Sequence, residues 1–307
     1  MQNLAKTEIL TDKNILLKRL SVISELTKLK ITVLVSLTTA LGYILAAESI
    51  NITLLFAVLG IFLLACSSSA LNQYQEIEID KLMPRTLHRP LPSGKVSEGF
   101  VLNLSVILLL AGSLILYFFT NFSTLVIGVF TFFWYNGIYT PLKRKSAFAI
   151  IPGSLVGALP PLAGWAAAGG SLLDFNIYLI SFYFFIWQIP HFWLLLLLYG
   201  KEYSEAGLPV LNNIFSENQI KRITFVWIII TMLISVAIAF SGIVIYSVSL
   251  VLLLVTSGFL LFNSLIFLSS GSEKKDIIKM FVKINVHTLS IIVLLSSDKL
   301  ISIFKNI

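Results

Sequence analysis

The sequence predicts an all-α membrane protein, built as a bundle of nine transmembrane helices. Of its 307 residues, 57% are hydrophobic and only 12% are charged, whereas a soluble domain carries about a quarter charged residues. The mean hydropathy is +0.92, and the apolar residues gather into runs long enough to cross a bilayer. The single cysteine, Cys66, stands in such a run, which excludes a disulfide framework and a CxxC metal motif.

The nine apolar runs each approach the ~20 residues that a helix needs to cross the bilayer. We expect one domain over 1–307, in which 1–25 form a mildly amphipathic cytoplasmic segment and 26–303 form the helical bundle. The first run is expected to be a retained span, because roughly thirty residues precede it, far more than a signal peptide carries before its apolar region. The predicted spans are 31–48, 53–71, 99–119, 122–140, 148–168, 175–199, 223–244, 247–269 and 284–303.

The basic residues predict the orientation of the bundle. All but Lys299 and Lys305 of the 22 Lys and Arg residues lie before the first predicted span or in alternate loops. The positive-inside rule therefore places the N-terminus and these loops in the cytoplasm, and the C-terminus outside. The net charge of +7 follows from this asymmetry and from contact with anionic lipid, so it does not indicate nucleic-acid binding.

The longest polar segment, residues 72–94, carries the strongest functional signal. Its residues Asn72, Glu76 and Asp80 recur every four positions, which brings their oxygens to one face of a helix. Arg85 and Arg89 follow at the same spacing. Oxygen ligands suit Mg²⁺ and guanidinium forks suit phosphate, so the segment predicts a site for a magnesium-bridged diphosphate. A solvated helix end is the weaker alternative, because the segment emerges directly from an apolar span.

A second polar cluster lies at the end of the fourth predicted span. Tyr135, Asn136 and Tyr139 are just inside the span, and Lys143 and Arg144 follow it. Basic residues after a span usually serve as topology signals. Polar residues within a span are costly, however, and indicate function.

The sixth predicted span contributes a histidine and two acidic residues. His191 follows Pro190 inside the span, and Glu202 and Glu205 lie just beyond its end. An ionisable residue within the membrane favours a functional role, but a neutral histidine bonded to a carbonyl group is an equal alternative. His287, near the start of the ninth span, is expected to be an interfacial residue rather than a ligand.

The motif RTLHRPLPSG at 85–94, directly after the Asn, Glu and Asp series, resembles the first signature of the UbiA superfamily of intramembrane prenyltransferases. Glutamate at position 76 and three further stretches resemble the haem-prenylating members of that superfamily. The resemblance covers roughly residues 25 to 215 strongly and the remainder by span count only. The three stretches are 139–165, PHFW at 190–193 and YSEAGLP at 203–209.

The resemblance implies transfer of a farnesyl group from farnesyl diphosphate to a vinyl group of haem B, which yields haem O for respiratory oxidases. It implies Mg²⁺ as cofactor, the plasma (inner) membrane as location, and a downstream haem-modifying oxidase as a partner. Catalysis is assigned by the resemblance to Asn72, Glu76, Asp80, Arg85 and Arg89. The implied metal ligands are Asn72, Glu76, Asp80 and Glu202. The implied diphosphate contacts are Lys30, Arg85, Arg89, Lys143 and Arg144. The implied haem contacts are Tyr139, His191 and Trp193.

Two positions depart from the family pattern. Lys28-Leu29-Lys30 stands in place of Lys-Pro-Arg before the first span, and Lys201-Glu202-Tyr203 stands in place of Asp-Asp-Tyr. The second change leaves one clear carboxylate in that cluster. Two alternative functions remain, namely a superfamily prenyltransferase acting on a quinone precursor or lipid, and a transporter. The transporter is disfavoured because the acidic clusters lie at the predicted membrane rim rather than at mid-depth.

Overall fold

The computed structural model describes residues 18–269 and 273–305, and within them it is helical, without any strand. Nine helices in this described part are long and apolar enough to cross a membrane. The predicted fold class is therefore confirmed. In chain order they are α1 (Leu29–Ala46), α2 (Thr53–Gln75), α3 (Glu98–Phe119), α4 (Phe122–Lys143), α5 (Ile150–Ala167), α6 (Phe175–Glu205), α7 (Glu217–Phe240), α8 (Ser247–Ser269) and α9 (Lys274–Lys305).

Two helices extend well beyond their predicted apolar runs. Helix α6 continues to Glu205 instead of ending near residue 199, and α9 begins at Lys274, ten residues before the predicted start. Hydropathy marks only the part of a helix that faces lipid or core. Lys and Glu are themselves good helix formers, so the helix continues into the polar residues on either side of the apolar run.

Helices α1 and α5 approach each other closely through glycine. A Cβ atom at Gly164 would lie 1.8 Å from the carbonyl oxygen of Thr39, and one at Gly42 would lie 1.9 Å from that of Pro161. Any larger residue would force the two backbones apart. Gly42 and Gly164 thus permit close packing of α1 against α5.

Two local irregularities shape the polar ends of α2 and α4. Helix α2 ends at Gln75, Glu76 adopts φ −103° and ψ 10°, and a short helix, Ile77–Leu82, follows. Within α4, the segment Trp134–Tyr139 is a π-helix. Such π-helical turns are rare and frequently occur at functional sites.

Helices α7 and α9 pack against α6, and α8 packs against α7 and α9, through an aliphatic core with buried polar pairs. The hydroxyl groups of Ser235 and Ser257 lie 2.7 Å apart, and those of Tyr183 and Thr288 lie 2.9 Å apart. Each pair satisfies its polar groups between helices, in a region where water is absent.

Candidate active site

A cavity of about 420 Å³ opens between α1, α2, α4, α5 and α6. It is polar at one end and apolar at the other. We call the polar end the rim, and it consists of Lys28, Asn72, Glu76, Asp80, Arg85, Arg89, Lys143 and Tyr203. We call the apolar end the floor, and it consists of Ile61, Leu64 and Gly128.

The three predicted oxygen ligands converge on the rim, as their spacing predicts. Although α2 ends before Glu76, the Glu76 N–H donates to the Asn72 carbonyl oxygen over 3.0 Å, and the Asp80 N–H donates to that of Glu76 over 2.8 Å. The helical register therefore survives the break. Asn72, Glu76 and Asp80 are 3%, 5% and 1% exposed. The small exposed part of each side chain faces the cavity that the three residues line.

Each oxygen-bearing side chain of the rim is paired with one cation. Three separate segments of the chain supply the cations, so the pairing depends on the packing of α1, α4 and the loop after α2. Such charge-assisted bonds are stronger than neutral ones, and they leave no rim carboxylate unpaired. The pairs are Lys28 Nζ to Asn72 Oδ1 at 2.8 Å, Arg89 Nη1 to Asp80 Oδ2 at 2.7 Å and Lys143 Nζ to Glu76 Oε1 at 3.0 Å.

Lys28 is held in an unusual environment. Burial, together with the positive charges of Arg89 and Lys143, lowers the pKa of its ammonium group to about 8, against the opposing influence of Glu76 and Asp80. Its backbone has φ 49° and ψ 49°, the left-handed region that non-glycine residues rarely adopt. It is the one non-glycine residue with positive φ in the described part of the chain. Strain of this kind concentrates at functional sites.

Burial raises the pKa of the Glu76 carboxyl group, but the nearby ammonium groups of Lys143 and Lys28 outweigh it, and the pKa is lowered overall. Glu76 is therefore ionised at neutral pH, despite being almost inaccessible to solvent. An ionised, buried carboxylate facing a cavity fits the requirement of a hard cation.

Arg85 connects the loop after α2 to α6 across the mouth of the cavity. Its Nη2 donates to the Tyr203 hydroxyl over 2.9 Å, and its guanidinium lies 5.3 Å from the ring centre of Tyr199. The Arg85 side chain is exposed, so these two rings hold it in place at the rim.

Three of the predicted ligands do not reach the cavity. Lys30 lies on α1 and is exposed, whereas Lys28, whose left-handed backbone immediately precedes α1, occupies the rim instead. Arg144 donates to the backbone oxygen of Gln75, which caps the end of α2. Glu202 lies outside the cavity lining, and its Oε2 is buried without a hydrogen-bond partner in the described residues.

The predicted haem contacts divide between three places. Tyr139 lines the main cavity and packs against Gly153. A Cβ atom added to Gly153 would lie 2.4 Å from the Tyr139 ring. Trp193 lines a second cavity of about 130 Å³, which Tyr139 and Phe192 also border. His191 lines neither of these two cavities.

His191 instead faces α9, where its hydrogen bonds define its tautomer. The Asn285 amide Nδ2 donates to the Phe281 carbonyl oxygen over 2.6 Å, which turns Oδ1 toward His191. His191 Nδ1 lies 2.9 Å from Asn285 Oδ1, and with the amide in this orientation Nδ1 is the donor. The lone pair then remains on Nε2, which is not among the buried unpartnered atoms. Metal-ligating histidines are held by the same kind of bond.

His287 lies in a different environment from the one predicted. It is 4% exposed and so belongs to the bundle interior rather than to the interface. Both ring nitrogens are buried. A ligand therefore reaches His191 more readily than His287.

Within the described residues, no group of three or more His, Cys, Asp and Glu side chains is able to hold a metal ion. The rim offers two carboxylates, Glu76 and Asp80, with the amide oxygen of Asn72. Magnesium typically binds through one or two carboxylates and completes its shell with water and substrate phosphate oxygens. The donor set thus fits a metal that is shared with a diphosphate.

Membrane-spanning helices that enclose a cavity with a charged rim and an apolar floor define a multi-pass membrane protein with an amphipathic internal site. The family model of the UbiA prenyltransferase family matches residues 35–286. The chain belongs to this family.

Curated relatives carry a more specific name, protoheme IX farnesyltransferase. The protein of Nitratidesulfovibrio vulgaris (strain DP4) is 34% identical over 205 residues, which cover 67% of this chain and 71% of the relative. That of Geobacter sulfurreducens is 40% identical over 169 residues, which cover 55% and 62%. That of Bartonella bacilliformis is 34% identical over 229 residues, which cover 73% of each.

Solved structures share the fold at lower identity. The structure of a digeranylgeranylglyceryl phosphate synthase has a TM-score of 0.74 at 17% identity, and the match covers 92% of this chain and 99% of that one. A UbiA homolog from Archaeoglobus fulgidus bound to GPP and Mg²⁺ has a TM-score of 0.64 at 14% identity, with 90% and 99% covered.

Proposed function

We propose that this protein is an enzyme that transfers a farnesyl group from farnesyl diphosphate to a vinyl group of haem B and so produces haem O. The observation that carries the proposal is the cavity, whose rim holds four cations, three of them paired with three oxygen ligands, and whose opposite end is apolar. Relatives named protoheme IX farnesyltransferase support the choice of donor and acceptor.

The rim is proposed to bind the diphosphate together with Mg²⁺. Glu76, Asp80 and Asn72 would hold the metal, and Lys28, Lys143, Arg85 and Arg89 would turn from these oxygens to the phosphate oxygens. Bound in this way, Mg²⁺ neutralises the charge that develops on the leaving diphosphate. Metal and diphosphate are thus expected to bind cooperatively. The metal takes the rim oxygens away from the cations, and the diphosphate takes the cations away from these oxygens, so each ligand frees the groups that bind the other.

The remaining chemistry follows from the shape of the cavity. The allylic C–O bond breaks, and the diphosphate leaves with the electron pair in the field of the rim cations. The apolar walls exclude water from the farnesyl cation. The vinyl group of haem B donates its π electrons to form the new C–C bond, and water then adds to the resulting cation and releases a proton.

The acceptor is proposed to lie against α6. His191 Nε2 would ligate the haem iron, since neutral imidazole suits iron. The flanking rings of Trp187 and Phe281, 4.9 Å and 4.8 Å from the His191 ring, offer apolar surfaces to a porphyrin. Tyr139 and Trp193 would line the path from the haem to the rim. Glu202 and Arg144 would contact the metal and the diphosphate only if the rim end of the bundle rearranges.

The protein is proposed to lie in the plasma (inner) membrane as one domain, with its N-terminus and its rim facing the cytoplasm, as the positive-inside rule predicts. Haem O would leave toward the membrane interior and pass to a haem-modifying oxidase.

The test is pigment analysis by mass spectrometry after expression of the protein in cells that make only haem B. We expect a new haem whose mass corresponds to addition of farnesyl and water. Unchanged haem B, with a prenylated quinone precursor or lipid instead, would assign the protein to another reaction of the family.

A further inference from the structure

We infer that the floor of the cavity limits the length of the prenyl chain, with Leu64 and Gly128 as the residues that determine this specificity. The inference rests on the proposed function only in taking a prenyl diphosphate as the donor. It requires a fixed head, a cavity of defined depth and a closed end.

The charged rim provides the fixed head. A diphosphate has one place in this cavity where cations and metal ligands converge, and the apolar tail offers no group for a directional bond. Tail length is therefore the property on which the protein is able to discriminate between donors that share a head group.

The cavity has a defined depth along two of its walls. Fifteen residues separate Glu76 at the rim from Ile61 at the floor, and the same number separates Lys143 from Gly128. At the rise of an α-helix this corresponds to roughly 20 Å. The two helices therefore place the floor at a similar distance from the rim.

The end of the cavity is closed by the protein core. Ile61 and Leu64 belong to a buried cluster with Leu116 and Ala163, and the four are 5%, 3%, 0% and 0% exposed. Close-packed side chains of this kind yield little space. A tail that reaches the floor therefore has no room to extend past it.

Gly128 sets how far the floor lies from the rim. A Cβ atom at this position would lie 2.7 Å from Leu64 Cδ1, 3.0 Å from Ile61 Cδ1 and 3.1 Å from Leu116 Cδ1. The glycine thus lets the aliphatic side chains of α2 and α3 fill the space beside α4. A larger side chain here would displace them into the cavity, whereas truncation of Leu64 would deepen it.

The experiment presents geranyl, farnesyl and geranylgeranyl diphosphate to the enzyme together, with haem B as acceptor, and measures the ratio of products. Ratios do not depend on how much of a variant folds. We expect the wild type to favour farnesyl, and Leu64→Ala to raise the geranylgeranyl to farnesyl ratio at least about tenfold. Gly128→Val should raise the geranyl to farnesyl ratio instead. Leu59→Ala, an exposed position of α2 outside the cavity, is the matched control and should change neither ratio.

A binding measurement separates this inference from the proposed reaction. Unreactive thiolodiphosphate analogues of the three donors are titrated with Mg²⁺ into the purified protein in the absence of haem. A preference for one length that Leu64→Ala and Gly128→Val shift in opposite directions would support the inference even if haem B were not the acceptor. Equal affinity of the wild type for farnesyl and geranylgeranyl analogues, or variants that leave both ratios unchanged, would overturn it.

Discussion

Polar residues have different surroundings in the first six helices and in the last three. Charged side chains from α4, from the residue before α1 and from the segment after α2 meet at the rim, where the cations remain partly accessible. The Arg89 side chain is 21% exposed and that of Lys143 is 29% exposed. In α7 to α9 the one buried carboxylate, within the described residues, is Asp298. It is 1% exposed and accepts from the backbone N–H groups of Ile245 and Tyr246 over 2.7 Å and 3.1 Å.

The difference indicates how a functional polar group is distinguished from a structural one inside a membrane. The rim pairs join side chains that border a cavity, so a ligand is able to replace either partner. Asp298 binds backbone groups that have no other acceptor, so nothing is gained by displacing it. Burial alone does not separate the two cases, because Asp80 is as buried as Asp298. What separates them is whether the partner is exchangeable.

The largest effect is expected from Asp80→Asn. The change removes a metal ligand and the charge partner of Arg89, so turnover should fall at least about 100-fold. Haem O formation in membranes, normalised to the amount of folded protein, measures it. Asp298→Asn is the matched control, and it should lower the melting temperature while leaving turnover per folded molecule near that of the wild type. Near-normal haem O formation by the Asp80 variant would contradict the metal assignment.

The next effect distinguishes two lysines of one segment. Lys28→Met should raise the KM for farnesyl diphosphate about 10- to 100-fold, because a charge-assisted contact to the diphosphate is lost. Lys30→Met should change it less than about twofold, since this exposed lysine lies outside the cavity. Steady-state kinetics with varied donor at saturating haem B measures both. If the Lys30 variant shows the larger change, the first helix must rotate when substrate binds.

A third comparison sets His191 against His287. We expect His191→Ala to lose haem affinity and the wild-type Soret band while it keeps its affinity for farnesyl diphosphate. Asn285→Leu should weaken haem binding about tenfold through loss of the bond that orients the imidazole. His287→Ala should affect the spectrum little, because both of its nitrogens are sealed in the core.

Iron-free protoporphyrin is the control for this comparison. It has no metal to ligate, so its affinity should be the same in the wild type, His191→Ala and Asn285→Leu. A wild-type haem spectrum in His191→Ala would exclude this residue as the iron ligand. Loss of the spectrum in His287→Ala alone would move the haem to another wall of the bundle.

The smallest effect is expected from Arg89→Lys. Lysine keeps the charge beside Asp80 but lacks the planar fork that binds two oxygens at once. The KM for farnesyl diphosphate should rise about fivefold, equivalent to roughly 1 kcal/mol. An unchanged KM would mean that Arg89 serves the pairing with Asp80 and does not contact the diphosphate.

Nine apolar helices and the convergence of Asn72, Glu76 and Asp80 could be predicted from the amino-acid sequence alone. Both results depend on local features. A run of apolar residues defines a span without reference to the rest of the chain, and a spacing of four brings side chains to one face wherever the helix lies. For this reason the break in the helix at Glu76 did not disturb the prediction.

Three features could not be predicted in this way. They are the choice of Lys28 over Lys30 at the rim, the position of Glu202 outside the cavity and the pairing of His191 with Asn285. Each of these depends on a partner from a distant part of the chain. Lys143 and Glu76 are 67 positions apart, and His191 and Asn285 are 94 apart. No local pattern specifies how helices so far apart rotate against each other, because side-chain packing along their whole length sets that angle.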